Sequence, residues 1–395
     1  MDQNIHFHQQ EIPVSATLDV DAVEAALNAL WREKTGDVPA GDDENGAVMR
    51  ARVLNLMFYV TSAEAASEVN DILSDVTTSH PCRALLMVAE REKEDQDIKM
   101  SVSTFCPDSS DAGGRRVCCE LVTLKASGRF TSELPSAATP LLISDLPIFL
   151  DWQGELRPDN EVFQSLSRAA DRVVVDSADF QNPLAEMAAL VRLLSRKRAS
   201  DVALSDLNWS RLTSWRALLA SFYDVPEYRP ALQKINHVTI EYVAPASKMS
   251  GANIAPQALM MAGWLASRLG WYPSQDELDQ PLNEGTRVVF LEKEGRRIKL
   301  SFRLVSGPEM KPGRLARVEL KTESDGPAST FVVSRSEDSL YLETQVARGE
   351  DVRAARVLKV RNRSAAVLLG RELEIISHED VYEEALRTAA ALVRV

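Results

Sequence analysis

The residue types best suited to catalysis form no recognisable motif in this chain. It has four cysteines and five histidines, and no two cysteines form a CxxC pair. A structural zinc site needs four nitrogen or sulfur ligands at close spacing, so we predict no metal. The sequence also lacks a GxGxxG or GxxxxGK[ST] phosphate loop, a GxSxG nucleophile elbow and an HExxH zinc motif. We therefore predict no catalytic residue and no bound cofactor.

His80 and Arg83 are the candidates for ligand or anion binding, because they lie at the mouth of a predicted βαβ unit. His80 could act as a general base, and Arg83 could bind an anion. Alternatively, His80 hydrogen-bonds the backbone before Pro81, and Arg83 pairs with an acid in a neighbouring loop. We favour this second interpretation, because buried arginines are usually paired.

Several aspartates cluster at the ends of predicted strands and could serve acid–base chemistry or simply cap helices and turn corners. We favour capping for this set, which comprises Asp145, Asp151, Asp171, Asp176 and Asp179.

Cys106, Cys118 and Cys119 are the candidates for redox chemistry. Adjacent residues on a strand point to opposite faces, so Cys118 and Cys119 should not pair with each other. Cys106 and Cys118 could form a disulfide if their strands pair, and in the cytosol such a bond would be regulatory. The alternative is that all three are small residues within a sheet.

A tryptophan- and arginine-rich segment at 205–224 is the candidate partner-binding region. It contains Trp209, Arg211, Trp215 and Arg216. Tryptophan and arginine dominate the energetics of protein interfaces. The alternative, which we favour for the two indole rings, is that they anchor a hydrophobic core.

The elements that must position these residues begin with a βαβ unit. Apolar runs at 53–60 and 84–90 predict buried strands, and 62–77 between them predicts a helix. Alternating residues at 98–106 and 117–127 predict strands with one polar face. With the apolar strands and helices that follow, this order predicts an α/β domain with a mixed sheet of doubly wound character.

The C-terminal part of the chain predicts an α+β domain with an antiparallel sheet. A strand at 237–243 and an apolar helix at 258–271 come first. Alternating strands then follow between 287 and 347, with a hairpin at Glu294-Gly295, and an amphipathic helix occupies 380–395. We therefore divide the chain into an N-terminal helix and acidic loop, an α/β domain, a Trp-rich connector helix and the α+β domain, at 1–50, 51–204, 205–234 and 235–395.

Composition narrows the class of function. The 395 residues carry a net charge of −13, which argues against a general nucleic-acid binder. No apolar run approaches the roughly 18–20 residues that span a bilayer, and no signal peptide is visible at the N-terminus, so we expect a cytoplasmic protein without membrane contact. Acidic residues outnumber basic ones in 1–50, and the reverse holds for 287–371. This uneven charge indicates either ordinary solvated surfaces or a basic C-terminal half that meets an acidic partner or an anionic ligand.

Four strings in order and at matching spacing resemble the glucose-6-phosphate dehydrogenase assembly protein family, often called OpcA. They are HPCRALLMVAE, PLLISDLPIFLDWQG, ADRVVVDS and SDLNWSRLTSWRALLASFYD, at 80–90, 140–154, 170–177 and 205–224. The likeness is strong over about 50–245 and looser beyond. The chain departs from the family pattern at Asp151-Trp152-Gln153, where two aromatics are usual before the glycine, and at Ser214, where proline is usual.

This resemblance implies a non-enzymatic assembly factor or allosteric activator that binds glucose-6-phosphate dehydrogenase and supports the oxidative pentose phosphate pathway. It also implies redox control, with thioredoxin as a second partner, without indicating which cysteines take part. Two alternatives stay open, a phosphosugar-binding α/β enzyme or sensor and a redox-responsive adaptor.

Overall fold

The protein is described by a computed structural model. The described residues are 8–12, 19–35, 48–105, 116–157, 159–195, 202–244, 254–274, 280–282, 286–306, 310–324, 326–360 and 363–392.

The first half of the chain forms nine strands and five helices among the described residues. In chain order they are β1 (His8–Ile12), α1 (Val20–Thr35), β2 (Val48–Arg50), β3 (Leu54–Val60), α2 (Ala63–Val76), β4 (Cys82–Glu90), β5 (Gln96–Phe105), β6 (Arg116–Ser127), α3 (Leu134–Ala138), β7 (Ile148–Trp152), α4 (Glu161–Ala169), β8 (Arg172–Val175), α5 (Pro183–Leu194) and β9 (Ala203–Asp206).

The second half continues with short helices and then a long run of strands. Its described elements are α6 (Leu207–Arg211), α7 (Thr213–Ser221), α8 (Arg229–Leu232), β10 (Ile235–Val243), α9 (Pro256–Leu269), β11 (Tyr272–Pro273), β12 (Gln280–Leu282), β13 (Thr286–Lys293), β14 (Arg296–Val305), β15 (Leu315–Ser324), β16 (Gly326–Arg335), β17 (Tyr341–Arg348), β18 (Asp351–Lys359), α10 (Ala365–Glu372) and α11 (Asp380–Leu392).

The chain folds into two compact units that interleave along the sequence. The first comprises Met1–Val175, Lys197–Ser205 and Arg363–His378, and the second comprises Asp176–Arg196, Asp206–Asn362 and Glu379–Val395. This differs from the four consecutive stretches expected from the sequence. The reason is packing, since α10 packs on α2 in the first unit and α5 packs on α11 in the second.

The first unit is built on a mixed sheet whose centre is parallel. The strand order is β1-β5-β6-β4-β3-β7-β8-β9, with β2 beside β6. Every residue of β3 and β4 is buried, as the continuous apolar runs predict for strands covered on both faces. Strand β5 pairs antiparallel with β6, so the two predicted alternating strands do form a pair.

Helix α10 is tied into the first unit through a buried arginine. The Arg172 side chain, which is 0% exposed, donates to Ser205 Oγ and to the Ser377 carbonyl. Ser205 Oγ donates in turn to Glu372 Oε2 at 2.7 Å. Polar contacts therefore fix a late segment of the chain beside early strands.

The second unit is built on a mostly antiparallel sheet. The strand order is β11-β13-β14-β10-β15-β16-β17-β18, with β12 beside β13, and β10–β14 is its parallel pair among the described strands. The β13–β14 hairpin turns at Glu294 and Gly295, whose φ angles of 51° and 75° suit the predicted tight turn.

Helices α9 and α11 approach closely within the second unit. A Cβ on Gly263 of α9 would lie 2.2 Å from the Ala385 carbonyl oxygen and 2.8 Å from Ala389 Cβ of α11. Only glycine permits this distance between the helices.

The fold class predicted from the sequence is thus confirmed, an α/β domain with a mixed sheet and an α+β domain with a mostly antiparallel one. In the part of the chain that the structure describes, no helix is long and apolar enough to cross a membrane.

Candidate functional site

The carboxyl edge of the first sheet carries a crevice where the strand order reverses. Strands β4 and β7 lie on either side of β3 and run parallel to it. In doubly wound sheets this is the usual place for a ligand. The crevice holds about 430 Å³ and is lined by residues that include Tyr59, Glu90, Arg91, Trp152 and Asn160.

The crevice does not fit a dinucleotide, although folds of this kind often bind one there. The turn from β3 to α2 is Thr61-Ser62, without the glycines that let a backbone approach a pyrophosphate. Ser62 caps α2 by accepting from Ala65 N at 3.1 Å. Backbone and Ser62 hydrogen bonds lower the pKa of Glu64, so a carboxylate already occupies the positive end of the helix.

Two aromatic rings fill the inner part of the same crevice. Trp152 stacks on Tyr59 with ring centroids 4.0 Å apart and planes at 6°. A Cβ on Gly154 would lie 2.9 Å from both rings, so the chain crosses this stack only with glycine there. Burial raises the pKa of Tyr59, while nearby Arg91 acts to lower it.

His80 and Arg83 lie at the opposite, amino-terminal edge of the sheet. His80 packs near α10, since a Cβ on Gly370 would lie 3.6 Å from His80 Nε2. The Arg83 side chain is only 4% exposed and pairs with Glu24 at 2.5 Å and Glu120 at 2.7 Å. These contacts favour the paired interpretation of Arg83 over a free anion site.

Glu120 is the centre of a charge cluster on this edge. Its carboxylate, with 0% side-chain exposure, pairs with Arg50, Arg52 and Arg83 and accepts from Trp31 Nε1 at 3.0 Å. Burial acts to raise the pKa of Glu120, but the three arginines together lower it. The cluster joins α1, β2, β4 and β6, which assigns it a structural role.

Of the three cysteines that the structure describes, one is in a disulfide bond and two are free thiols. Cys118 is disulfide-bonded, and Cys106 lies outside the described residues. Cys82 and Cys119 are free and buried. The Cys82 backbone N–H donates to Cys119 Sγ at 3.3 Å. A hydrogen bond between the two thiols raises the pKa of Cys82 and lowers that of Cys119.

The tryptophans of the 205–224 segment lie in the interior of the second unit. Trp209 and Trp215 are 1% and 2% exposed. Trp209 Nε1 donates to Glu379 Oε1 at 2.7 Å, and the Arg216 guanidinium lies 3.3 Å from the Trp209 ring centroid. The core-anchoring alternative therefore describes both indoles in this structure.

A buried polar network surrounds the start of α6. Asp206 Oδ1 accepts from Ser177 N at 3.0 Å and Asn208 N at 2.8 Å. Burial, together with the charge of Asp176, raises the pKa of Asp206 to about 6. Asn208 Oδ1 also accepts from Gln257 Nε2 at 2.8 Å. The capping role expected for Asp176 is present, since it accepts from Ala178 N.

Sequence motifs alone did not single out Tyr59 or Glu120. Trp152 and Arg83 lie within the strings that carry the family resemblance, but their partners lie elsewhere in the chain. The signal that could have found Glu120 is the strand register, which places it opposite Arg83.

Comparison with known proteins decides the family. A model described as "Glucose-6-phosphate dehydrogenase subunit N-terminal domain" matches residues 74–192, and its C-terminal counterpart matches 202–386. The chain belongs to the OpcA family. The resemblance drawn from the four strings is thereby confirmed.

Curated relatives of this OpcA family member are named for the OxPP cycle. One from Nostoc punctiforme is 29% identical over 82% of this chain and 67% of its own length. One from Synechococcus elongatus is 28% identical over 82% of this chain and 70% of its own length. The chain thus spans about two thirds of the length of these relatives.

Solved structures resemble the chain only distantly. A 3-ketoreductase from Actinomadura kijaniata in complex with NADP has a TM-score of 0.47 at 11% identity, over 86% of this chain and 95% of its own. A UDP-N-acetylglucosamine 3-dehydrogenase from Acidithiobacillus ferrooxidans has a TM-score of 0.44 at 10% identity, over 86% and 96%. At these scores the likeness says nothing about activity.

Proposed function

We propose that this chain is a non-enzymatic assembly factor and allosteric activator that binds glucose-6-phosphate dehydrogenase and supports the oxidative pentose phosphate pathway in the cytoplasm. The observation that carries the proposal is the pair of family models, both described as domains of a glucose-6-phosphate dehydrogenase subunit, which match 74–192 and 202–386. An activator of this kind binds the active form of the enzyme more tightly than the inactive form. A 100-fold preference corresponds to about 2.7 kcal/mol of coupling.

The crevice of the first unit supports the non-enzymatic part of the proposal. The Trp152–Tyr59 stack and the Glu64 carboxylate occupy the region where a dinucleotide would bind in a related architecture. In this proposal the dehydrogenase carries out the NADP-dependent reaction, and this chain only binds the dehydrogenase.

The outer face of the second sheet is our candidate for those contacts. Along β14 the buried Ile298, Leu300 and Phe302 lie on one face, and the exposed Arg297, Lys299 and Arg303 lie on the other, together with the buried Ser301. Lys299 of β14 and Lys321 of β15 both lie opposite His237 of β10. We propose that an acidic surface of the dehydrogenase docks on this row, here called the basic row (Lys299, His237 and Lys321). Charge attraction of this kind speeds association and weakens with salt.

The test uses purified chain and the dehydrogenase from the same organism. We expect a complex in size-exclusion chromatography with light scattering, and a lower KM for glucose 6-phosphate as the chain is added. Absence of both a complex and a kinetic effect would overturn the proposal.

A charge-reversal pair tests the basic row separately. Lys299→Glu with Lys321→Glu should weaken the complex, and raising the salt concentration should weaken the unmodified one. Arg129→Glu is the matched control, because Arg129 is 75% exposed and lies in the first unit. Equal loss in the control, or an affinity indifferent to salt, would reject the basic row as the contact.

A redox-responsive adaptor is a second candidate, favoured by the disulfide at Cys118. In this version thioredoxin reduces that bond and changes the affinity for the dehydrogenase. Thiol counts before and after thioredoxin treatment, with a Cys118→Ser variant as the reference, test it. An unchanged thiol count rejects this candidate.

The phosphosugar alternative needs His80, Arg83 and nearby aspartates at the strand ends to meet the ligand. The engagement of Arg83 with Glu24 and Glu120 gives that location no support.

A further inference from the structure

The crevice at the carboxyl edge of the first sheet keeps room for a ligand beside its aromatic stack. Its volume of about 430 Å³ lies in the range of small-molecule sites. The loops that follow β3, β4 and β7 line it, and every lining residue belongs to the first unit. The crevice is therefore a complete cavity of one unit, and its polar groups indicate what it can bind.

Trp152 brings an unsatisfied hydrogen-bond donor to the crevice wall. The residue is 2% exposed, and its indole Nε1–H has no acceptor among the described residues. Two neighbours already enclose the ring, since Tyr59 stacks on it and Phe163 meets it edge-on with centroids 4.9 Å apart. A buried N–H without an acceptor is costly. An acceptor oxygen that reaches this N–H from the crevice would remove that cost.

Arg91 supplies further donors to the same crevice. It follows β4 directly and is exposed, and its Nη2 lies 3.5 Å from Asn160 Oδ1, at the limit of a hydrogen bond. It also acts to lower the pKa of Tyr59 against the effect of burial, so it lies near the stack. Among the described residues no carboxylate forms an ion pair with Arg91. Most of its N–H groups are therefore available to a ligand.

A second hollow adjoins the crevice and shares Arg91 and Asn160 with it. It holds about 390 Å³. Its other charged lining residues are Arg157, Asp159 and Glu161, and Arg157 pairs with Asp159 at 3.2 Å. The second hollow therefore adds no unpaired cation to the crevice.

The charges around both hollows disfavour an anionic ligand. The count includes every charged lining residue and Lys125, which pairs with Glu90 at 3.3 Å. Four are basic, namely Arg91, Lys93, Lys125 and Arg157, and six are acidic, namely Glu64, Glu90, Glu92, Glu155, Asp159 and Glu161. The surroundings carry a net charge of 4 − 6 = −2. A phosphate or carboxylate group would meet net repulsion there.

The donors and the carboxylates together define the class of ligand. An ammonium group would suit the acids, but it cannot accept a hydrogen bond from Trp152 or Arg91. A hydroxyl group accepts from these donors and also donates to a carboxylate. The two aromatic rings add an apolar wall for the C–H groups of such a molecule. Neutral molecules with several hydroxyl groups meet all of these conditions.

We propose that the crevice binds a neutral sugar, with the Trp152 indole N–H and the Arg91 guanidinium donating to its hydroxyl oxygens. This site is separate from the basic row, which lies in the second unit. Its test omits the dehydrogenase, so a negative result leaves the proposed function untouched.

Isothermal titration calorimetry of the full chain tests the proposal. The probes are glucose, mannose and galactose, followed by the 6-phosphate and the 2-amino form of whichever hexose binds best. We expect saturable binding of at least one neutral hexose and affinity at least about tenfold lower for its phosphate, with the difference shrinking as salt is added. Absence of saturable binding for all three hexoses would overturn the proposal. So would a phosphate or an amine that binds more tightly than the neutral sugar.

Variants place the sugar in the crevice. Arg91→Gln should weaken binding by about tenfold or more, because a charged donor is lost. Trp152→Phe keeps an aromatic ring beside Tyr59 but removes the N–H, and it should weaken binding as well. Arg168→Gln is the matched control, because Arg168 is exposed at the end of α4 and lines neither hollow.

Arg91 decides the location even if Trp152→Phe fails to fold, since an exposed side chain can be replaced without loss of the core. Unchanged affinity in Arg91→Gln, or an equal loss in Arg168→Gln, would place the sugar elsewhere and overturn the assignment.

Discussion

Asp206 allows a quantitative test of the buried network at the start of α6. The side chain is 2% exposed, and burial with the neighbouring Asp176 charge raises its pKa from 3.8 to about 6. A raised carboxyl pKa means that the folded state prefers the protonated form. Its contribution to stability is therefore full below about pH 4 and is lost as the pH rises through about 6.

Asp206→Asn should remove the loss of stability that accompanies ionisation of Asp206. Asparagine keeps an oxygen that accepts from Ser177 N and Asn208 N, but it cannot ionise. A shift of about two pKa units corresponds to about 3 kcal/mol. The variant should be more stable than the wild type by about 2–3 kcal/mol near neutral pH and above, and the advantage should vanish toward about pH 4.

Urea unfolding at several pH values measures this advantage as a difference between variant and wild type at each pH. Asp338→Asn is the control of opposite sign. The Ser336 hydroxyl and the Leu340 N–H lower the pKa of Asp338, so its contribution is present at neutral pH and lost on acidification. If Asp206→Asn is no more stable than the wild type near pH 8, or its advantage is the same at every pH, the reasoning about Asp206 is refuted.

Three further substitutions test packing and charge. Gly263→Ala should destabilise the protein by about 1–3 kcal/mol, because the added Cβ would overlap α11. Gly270→Ala should cost less, because Gly270 has open space around it and only its left-handed φ of +66° disfavours alanine. Equal unfolding midpoints for the two variants would contradict this. Glu120→Gln should cost about 3–5 kcal/mol by leaving buried Arg83 without a full counter-charge. Because the pKa of Glu120 is lowered, that cost should fall as the pH drops below about 4, and a pH-independent cost in urea unfolding would refute it. Gly154→Ala should lower Tm by disturbing the Trp152 stack, and unchanged Tm and tryptophan fluorescence would show that the stack tolerates a Cβ.

Local patterns were sufficient to predict most of the fold. The continuous apolar runs of β3 and β4 predict strands that are buried on both faces, and every residue of these strands is buried. The hairpin at Glu294-Gly295 likewise follows from its turn residues, and helix α11 follows from the helical periodicity of its apolar residues. Each of these elements depends on residues close together in sequence.

The parts that could not be predicted depend on distant partners. Arg83 meets Glu120 only because β4 and β6 pair in one particular register. Arg335 of β16 donates to the Leu315 carbonyl of the adjacent strand β15, and no local motif of either residue indicates this contact. The buried position of Trp209 likewise depends on Glu379, far along the chain.

The interleaving of the two units has a consequence for synthesis. The buried Arg172 receives its contacts from Glu372 and Ser377, and helix α10 belongs to the first unit. During translation Arg172 therefore lacks the Glu372 carboxylate and the Ser377 carbonyl until residues 363–378 have left the ribosome. A chain stalled before that point should be a good client for chaperones, and no single cut can release either unit in complete form.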